Sequence, residues 1–378
     1  MDSDVHQALP SKRSVSLVMT VLNEAAGIAD VLETLAGQTR LPDEVIVVDG
    51  GSTDGTVEVV RRLEKGSETS CLKSRQGAAH RRSLIPFSLR LIRVPGVNIA
   101  RGRNIGIEAA RGEIIVLTDA GCRLDRRWVE RIVAPFEKDP ATEFVAGFYK
   151  IDPHSLLEAV VGLATMRGAL DPVDPATFNP SCRSMALTKE LWERAGGFPE
   201  WLYTAEDTLF DQKVRRMRAE WRFAPEAVVY WRPRTTLSAV YRQFRAYAVG
   251  NAHIMEGSGD ALYHARNLAL VTGSLIGGFF CAPLWIAAGL GFAYFFIYAH
   301  HGTSRRISAR LGNWQAYPLS LLVHWLLIAA GLDGRLRVLL RRRRERRRYR
   351  EKLTDYLGRR APGDASSPCR TALSPPLI

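Results

Sequence analysis

Three acidic side chains, Glu24, Asp49 and Asp119, each follow a short apolar run, and two more, Glu206 and Asp207, stand side by side ahead of a helical stripe. Carboxylates so placed can accept hydrogen bonds from a base or sugar, hold a divalent cation against phosphate, or take a proton from an attacking hydroxyl. Arg103 adds a planar guanidinium fork of the kind that suits phosphate. Taken singly, each has a plainer explanation. Asp beside Gly is ordinary turn chemistry, and a Glu-Asp pair in a first helical turn complements the helix dipole.

The elements that carry these residues bring them together. Residues 45–48 (VIVV) form a continuous β-branched run, the pattern of a strand buried on both faces. The run breaks at Asp49 into the GGSTDG turn, and Val57, Val59 and Val60 resume as a helix. Residues 15–20 (VSLVMT) form a strand ahead of Glu24, and Ile28, Val31, Leu32 and Leu35 follow at helical spacing. Residues 89–94 (LRLIRV) give a third strand, leading into a helix that carries Arg103 and ends at Arg111. Residues 113–118 (EIIVLT) give a fourth, ending at Asp119-Ala120-Gly121, and Trp128, Val129, Ile132, Val133 and Phe136 mark the next helix. Strand and helix in alternation predict an open parallel sheet covered on both faces, whose carboxyl ends share one rim. There Asp49 would face a base with its carboxylate free, Arg103 a phosphate, and Asp119 a cation bridging a diphosphate. Further strands are expected at 143–150, 183–187 and 227–231, and a polar surface insertion at 65–83. A dinucleotide site needs GxGxxG after the first strand, where this chain reads VLNEAAG; no P-loop sequence occurs either.

The chain has 378 residues, 46% of them apolar, and a formal charge of +13. The excess sits in one place: residues 334–378 hold thirteen Arg and one Lys against four acidic residues. Nucleic acid is therefore not an expected partner of the body. Five scattered cysteines without a CxxC pair fit a reducing compartment rather than a disulfide framework or zinc site. The N-terminal stretch lacks the apolar segment of a signal peptide. Residues 268–299 contain no charged residue over 32 positions, and 314–332 none over 19, both beyond the roughly 18 that suggest a membrane. Charge placement favours a hairpin bent near Pro283 and an interfacial second segment, with the Arg-rich tail on the cytoplasmic side against anionic lipid. The chain thus divides into a disordered lead-in (1–13), a catalytic domain (14–251), a membrane-associated helical region (252–333) and a basic cytoplasmic tail (334–378).

Four stretches, VMTVLNEAAGI, VIVVDGGSTDGT, RNIGIEAARGEIIVLTDAG and GGFPEWLYTAEDTLFDQKVR, resemble family 2 glycosyltransferases in order and approximate spacing, over residues 15–251. The resemblance implies an α/β GT-A fold, here with C-terminal membrane-associated helices, and transfer of a sugar from a UDP- or GDP-type NDP-sugar. It places Val21, Glu24 and Asp49 against base and ribose. Arg103, Asn104, Asp119 and Ala120 come beside the rest of the nucleotide, and Mg²⁺ or Mn²⁺ sits on Asp119. Asp207, paired with Glu206, becomes the general base of a single inverting displacement. The acceptor, lipid-linked or glycan, would meet Arg183, Ser184, Gln243 and Arg245, and the enzyme would sit on the cytoplasmic face of the cell (inner) membrane.

Two departures stand out. The family's Asp-x-Asp motif reads Asp119-Ala120-Gly121 here, so one metal-binding carboxylate is missing, with Asp125 the nearest substitute. That leaves a second reading open, a nucleotide-sugar-binding scaffold with impaired catalysis. The Gln-x-x-Arg-Trp motif of processive relatives is also broken, since Ala246 follows Gln243-Phe244-Arg245. Transfer of one sugar per encounter is the expectation.

Overall fold

The computed structural model describes residues 12–73, 85–166, 168–175 and 178–358. Most of the expected lead-in, positions 74–83 of the polar insertion and the tail beyond 358 lie outside the described residues. In chain order the elements are β1 (Val15–Val21), α1 (Ala25–Ala36), β2 (Glu44–Asp49), α2 (Thr56–Lys73), β3 (Ser88–Arg93), α3 (Ile99–Ala109) and β4 (Ile114–Leu117). There follow β5 (Cys122–Leu124), α4 (Trp128–Lys138), β6 (Phe144–Ile151), α5 (Leu156–Thr165), β7 (Met185–Thr188), α6 (Lys189–Ala195), α7 (Glu206–Arg216) and β8 (Trp221–Trp231). The remainder is helical: α8 (Leu237–His253), α9 (Ser258–Gly277), α10 (Pro283–Phe292), a π-helical turn (Ala293–Tyr298), α11 (Ala299–Leu311), α12 (Ala316–Leu339) and α13 (Arg343–Gly358). Two compact units result, Met1–Lys150 with Pro175–Trp231, and Ile151–Asp174 with Arg232–Ile378.

The first unit is built on an eight-stranded sheet in the order β3-β2-β1-β4-β7-β6-β8-β5. Its β3-β2-β1-β4 half is parallel, as the alternation of strand and helix requires, and brings the ends of β1, β2 and β4 to one rim. The other half adds antiparallel pairs, β4 with β7, β7 with β6 and β8 with β5, so the sheet as a whole is mixed. Leu17, Met19, Val45 and Val47 on one face join Ile28 and Leu32 of α1 and Trp128 and Ile132 of α4 in a single core. The opposite face receives α3 at unusually close range. A Cβ on Gly106 would stand 2.4 Å from Val18 Cγ1, and one on Gly102 2.9 Å from Thr20 Cγ2. Those two glycines, four apart on one side of the helix, let α3 settle onto β1. The polar stretch expected to be an insertion begins instead as helix, because α2 continues to Lys73.

In the second unit α5, α8, α11 and α12 share an apolar cluster that includes Val160, Val161, Val240, Ile307 and Val323. Helix α8, which the sequence groups with the catalytic domain, belongs to this bundle through Val240. Gly334 permits the tight crossing of α12 on α8, since a Cβ there would lie 2.6 Å from the Arg245 carbonyl oxygen. The apolar stretch 268–299 is interrupted at 278–282, immediately before Pro283 at the start of α10, and α9 packs on α10. Helical stretches Pro283–Leu311 and Ala316–Leu339 are both long and apolar enough to cross a membrane.

Candidate active site

The turns after β1 and β2 are laced together by their own side chains. Asn23 N–H donates to Ser52 Oγ (2.8 Å) and Thr53 N–H to Asn23 Oδ1 (2.9 Å). Glu24 N–H donates to Thr56 Oγ1 (2.9 Å), and Ala25 N–H to Asp54 Oδ2 (3.0 Å). Asn23 takes φ of +57°, which its short polar side chain tolerates. The Thr56 hydroxyl, helped by the Ala25 amide, holds the Asp54 carboxyl below its ordinary range. None of Asn23, Ser52, Asp54 and Thr56 is singled out from sequence, although the dense STDGT turn was the available signal.

Asp49 corrects an expectation. It is fully buried, and its carboxylate accepts the backbone N–H of Gly51 (3.0 Å) and Ser52 (3.2 Å), with Arg93 Nε 3.6 Å away. It therefore braces the turn, where the sequence suggested a carboxylate free for a ligand. Val21 is likewise buried, its carbonyl taken by Gly50 N–H (2.9 Å). Glu24, half-buried, opens α1.

The centre of the site is Arg103. Its guanidinium, buried on α3, donates to Glu206 Oε1 at 2.6 Å and to Asp119 Oδ1 at 3.2 Å, and lies 5.7 Å from the Phe198 ring centroid. Arg183 approaches Asp119 from the other side, Nε to Oδ2 at 3.9 Å, held over Trp231 and Tyr149 at 4.9 and 5.5 Å. Glu206 is buried at the head of α7, where Ala205 turns left-handed (φ +64°) to start the helix. Asp207, the next residue, is half-exposed, and its Oδ1 accepts from Thr208 N–H (2.8 Å). Burial, then the charge of Asp207, pushes the Glu206 carboxyl up to about 7, against the pull of Arg103. Burial also works against a charged Arg103, yet its acidic surroundings, Glu206, Asp119 and Asp207 among them, raise its pKa. One cation thus fixes two carboxylates and leaves the third open to solvent.

Other sequence candidates fall elsewhere. The Asn104 amide donates to the Phe198 carbonyl (2.9 Å) and Glu200 (3.0 Å), and its oxygen accepts from Phe198 N–H (2.8 Å) and Trp192 Nε1 (3.1 Å). Both hydrogens are committed, so Asn104 ties α3 to the Gly196-Gly197-Phe198 turn instead of facing a nucleotide. Asn98, not anticipated, caps α3 and donates to the carbonyls of Glu200 (2.7 Å) and Leu202 (2.9 Å). Ala120 is buried under Gly27, whose Cβ position lies 3.3 Å from the Ala120 carbonyl oxygen. Ser184 is buried inside the sheet, accepting from Trp128 Nε1 (2.8 Å) and donating to the Ala227 carbonyl (2.9 Å), out of reach of an acceptor. Asp125 serves α4, accepting from Arg127 N–H and Arg131 (3.0 Å). Gln243 and Arg245 lie in the second unit, Gln243 donating to Tyr247 Oη (2.8 Å) and Arg245 standing 3.7 Å from Asp333.

The donor chemistry tests the fit of a divalent cation. Among the described residues no group of three His, Cys, Asp or Glu could hold one. Asp119 supplies a single carboxylate, which is within what Mg²⁺ accepts when substrate phosphates and water complete its octahedron. A cation therefore fits here only together with a bound diphosphate.

Two family models match the chain: glycosyl transferase family 2 over residues 16–169, and glycosyl transferase family 21 over residues 103–326, more than half its length. The chain belongs to glycosyl transferase family 21. The enzyme is 30% identical over 122 residues to glycosyltransferase AglE of Haloferax volcanii, covering 32% of this chain and 34% of that protein. It is 25% identical over 240 residues to the pre-mycofactocin glycosyltransferase of Mycobacterium tuberculosis, covering 60% of this chain and 44% of that one. The chain thus spans about a third and less than half of these two relatives. Among solved structures, a mannosyltransferase from Pyrobaculum calidifontis in complex with GDP-Man and Mn²⁺ aligns at TM-score 0.46 and 20% identity, over 94% of this chain and 88% of that one. The α/β body of the enzyme, helices on both faces of a mixed sheet, agrees with the α/β fold that its motifs imply.

Proposed function

We propose that the enzyme transfers one sugar per encounter from a UDP- or GDP-type NDP-sugar to an acceptor hydroxyl or phosphate by single inverting displacement. The observation that carries the reading is the Arg103 tie, which fixes Glu206 and Asp119 and leaves the adjacent Asp207 half-exposed. Asp207 acts as the general base, taking the proton of the acceptor as its oxygen attacks the anomeric carbon. Arg103 and Arg183 oppose the negative charge that gathers on the leaving diphosphate; fixed guanidinium groups need no reorganisation at that moment. The laced turns at 22–25 and 50–56 form a rigid floor for the nucleoside. Mg²⁺ or Mn²⁺, held by Asp119 together with the donor's own phosphates, would add charge neutralisation when bound.

The apolar helices and the arginines of α13 support attachment to a membrane with anionic lipids, with the catalytic unit on the cytoplasmic face of the cell (inner) membrane. A lipid-linked or glycan acceptor suits an enzyme so tethered. Ala246 in place of the arginine of processive relatives supports single transfer. The test is a panel of UDP- and GDP-sugars screened by thermal stabilisation with and without Mn²⁺, followed by NMR of the product. One donor should raise the melting temperature at concentrations well above its Kd, and its sugar should appear with inverted anomeric configuration. Retention, or no shift with any nucleotide sugar, would overturn the proposal.

A further inference from the structure

The α9–α10 hairpin presents an exposed apolar surface, and its dimensions bear on how it would meet a membrane. No residue of α9 is buried. Phe279 and Phe280 at the tip are 78% and 91% exposed, and Leu270, Ile276, Ile286 and Leu290 line the two limbs in the open. Water is a poor medium for such a patch.

The limbs are short. On α9 the last charged residue is Arg266, which is exposed, and 11 residues run from there to Gly277. At 1.5 Å per residue that is about 16 Å. The facing limb is the start of a helix continuous from Pro283 to Leu311, and its first 12 residues, as far as the exposed Tyr294, cover about 18 Å. A hydrocarbon core is roughly 30 Å thick. The two limbs agree with each other and reach little more than half of it.

Both ends of the hairpin are marked. At its base, Trp325 Nε1 donates to the Phe296 carbonyl (3.0 Å) and stacks on the Phe296 ring (3.7 Å), while Tyr294 and Tyr298 are exposed beside them. Tyr and Trp gather where hydrocarbon meets headgroups. Arg266 on α9 and Arg305, Arg306 and Arg310 on α11 are all exposed and complement anionic headgroups. The tip, 278–282, carries no charge, and the amides of Gly278, Phe279, Phe280 and Cys281 all bond to carbonyls of the preceding turn. A tip that emerged on the far side would want polar side chains, whereas one that stays in hydrocarbon must satisfy its own backbone. Helix α12 is instead held to the helical bundle, packed along α8, where Tyr241 Oη donates to Asp333 (2.9 Å).

We infer that the enzyme is monotopic: the α9–α10 hairpin is buried in one leaflet of an anionic bilayer, its tip near the midplane, and no helix crosses. This rests on the membrane attachment proposed above. Cys281, at the tip and exposed, makes it testable. A nitroxide is attached to Cys281 in the full-length Cys71→Ser/Cys369→Ser chain, where Cys122 and Cys182 are buried. The protein is added to sealed phosphatidylglycerol/phosphatidylcholine vesicles carrying a nickel chelate either outside or inside. Oxygen should relax the label strongly and neither chelate should. Relaxation by the enclosed chelate means that the hairpin crosses, which overturns the one-leaflet insertion and leaves membrane attachment standing. Relaxation by the external chelate puts the tip in water and overturns both. A label shielded from oxygen as well is covered by protein, which also overturns the inference.

Discussion

Arg103 and Glu206 lie 103 residues apart in the chain and 2.6 Å apart in space, both buried. The pair joins the helix that follows β3 to the helix that presents Asp207, so the proposed base inherits its position from a guanidinium it does not bond. Removing one partner of a buried pair leaves the other charge uncompensated, at a cost of about 3–5 kcal/mol. Arg103→Ala should lower unfolding stability by that order in urea melts and abolish transfer. Adding Glu206→Gln should recover part of the stability and none of the activity.

The Glu206 carboxyl, pushed up by burial to about 7, makes a pH prediction whose sign is fixed. Its proton is bound more tightly in the folded chain than in the unfolded one, so the contribution is fully present below about pH 4.5. It is lost as pH rises through about 7. The stability of the wild type relative to Glu206→Gln should therefore fall by about 1–3 kcal/mol across that window. Parallel urea titrations at closely spaced pH values measure it; a flat or rising difference would contradict the burial argument.

Gly106 tests whether the placement of α3 matters for catalysis. A methyl there meets Val18 Cγ1 at 2.4 Å and must push the helix off the sheet. Overpacking of this kind costs about 1–3 kcal/mol. Gly106→Ala should show that loss in a melt together with reduced turnover, because the displaced helix carries Arg103. Unchanged turnover would mean that Arg103 tolerates movement.

The parallel half of the sheet was legible because its strands, covered on both faces, read as unbroken apolar runs such as VIVV. The antiparallel half was partly legible. β6 and β7 lie within a residue or two of where they were expected, but β8 starts at Trp221 rather than 227, and the three-residue β5 is too short to carry a pattern. Acidic residues at strand ends could be seen, yet not their duties. Asp49 and Asn104 look like ligand contacts in a sequence, and only their partners reveal that one braces a turn and the other ties a helix to a loop. A shared rim for Arg103 and Asp119 was legible, but the Arg103–Glu206 bond was not, because it joins segments 103 residues apart and no local preference encodes such a meeting. In the apolar C-terminal region the hydropathy was plain, but the proposed depth of insertion depends on where Arg266 and the 278–282 turn fall along the helices.

Whether Asp207 takes the acceptor proton while its neighbours hold the donor is decided by Asp207→Asn. Steady-state transfer and calorimetric binding of the nucleotide donor should be measured on the same preparation. Turnover (kcat) should fall by about 10²–10⁴-fold, with the donor Kd within a few-fold of wild type. Wild-type turnover in this variant would contradict the assignment of the base.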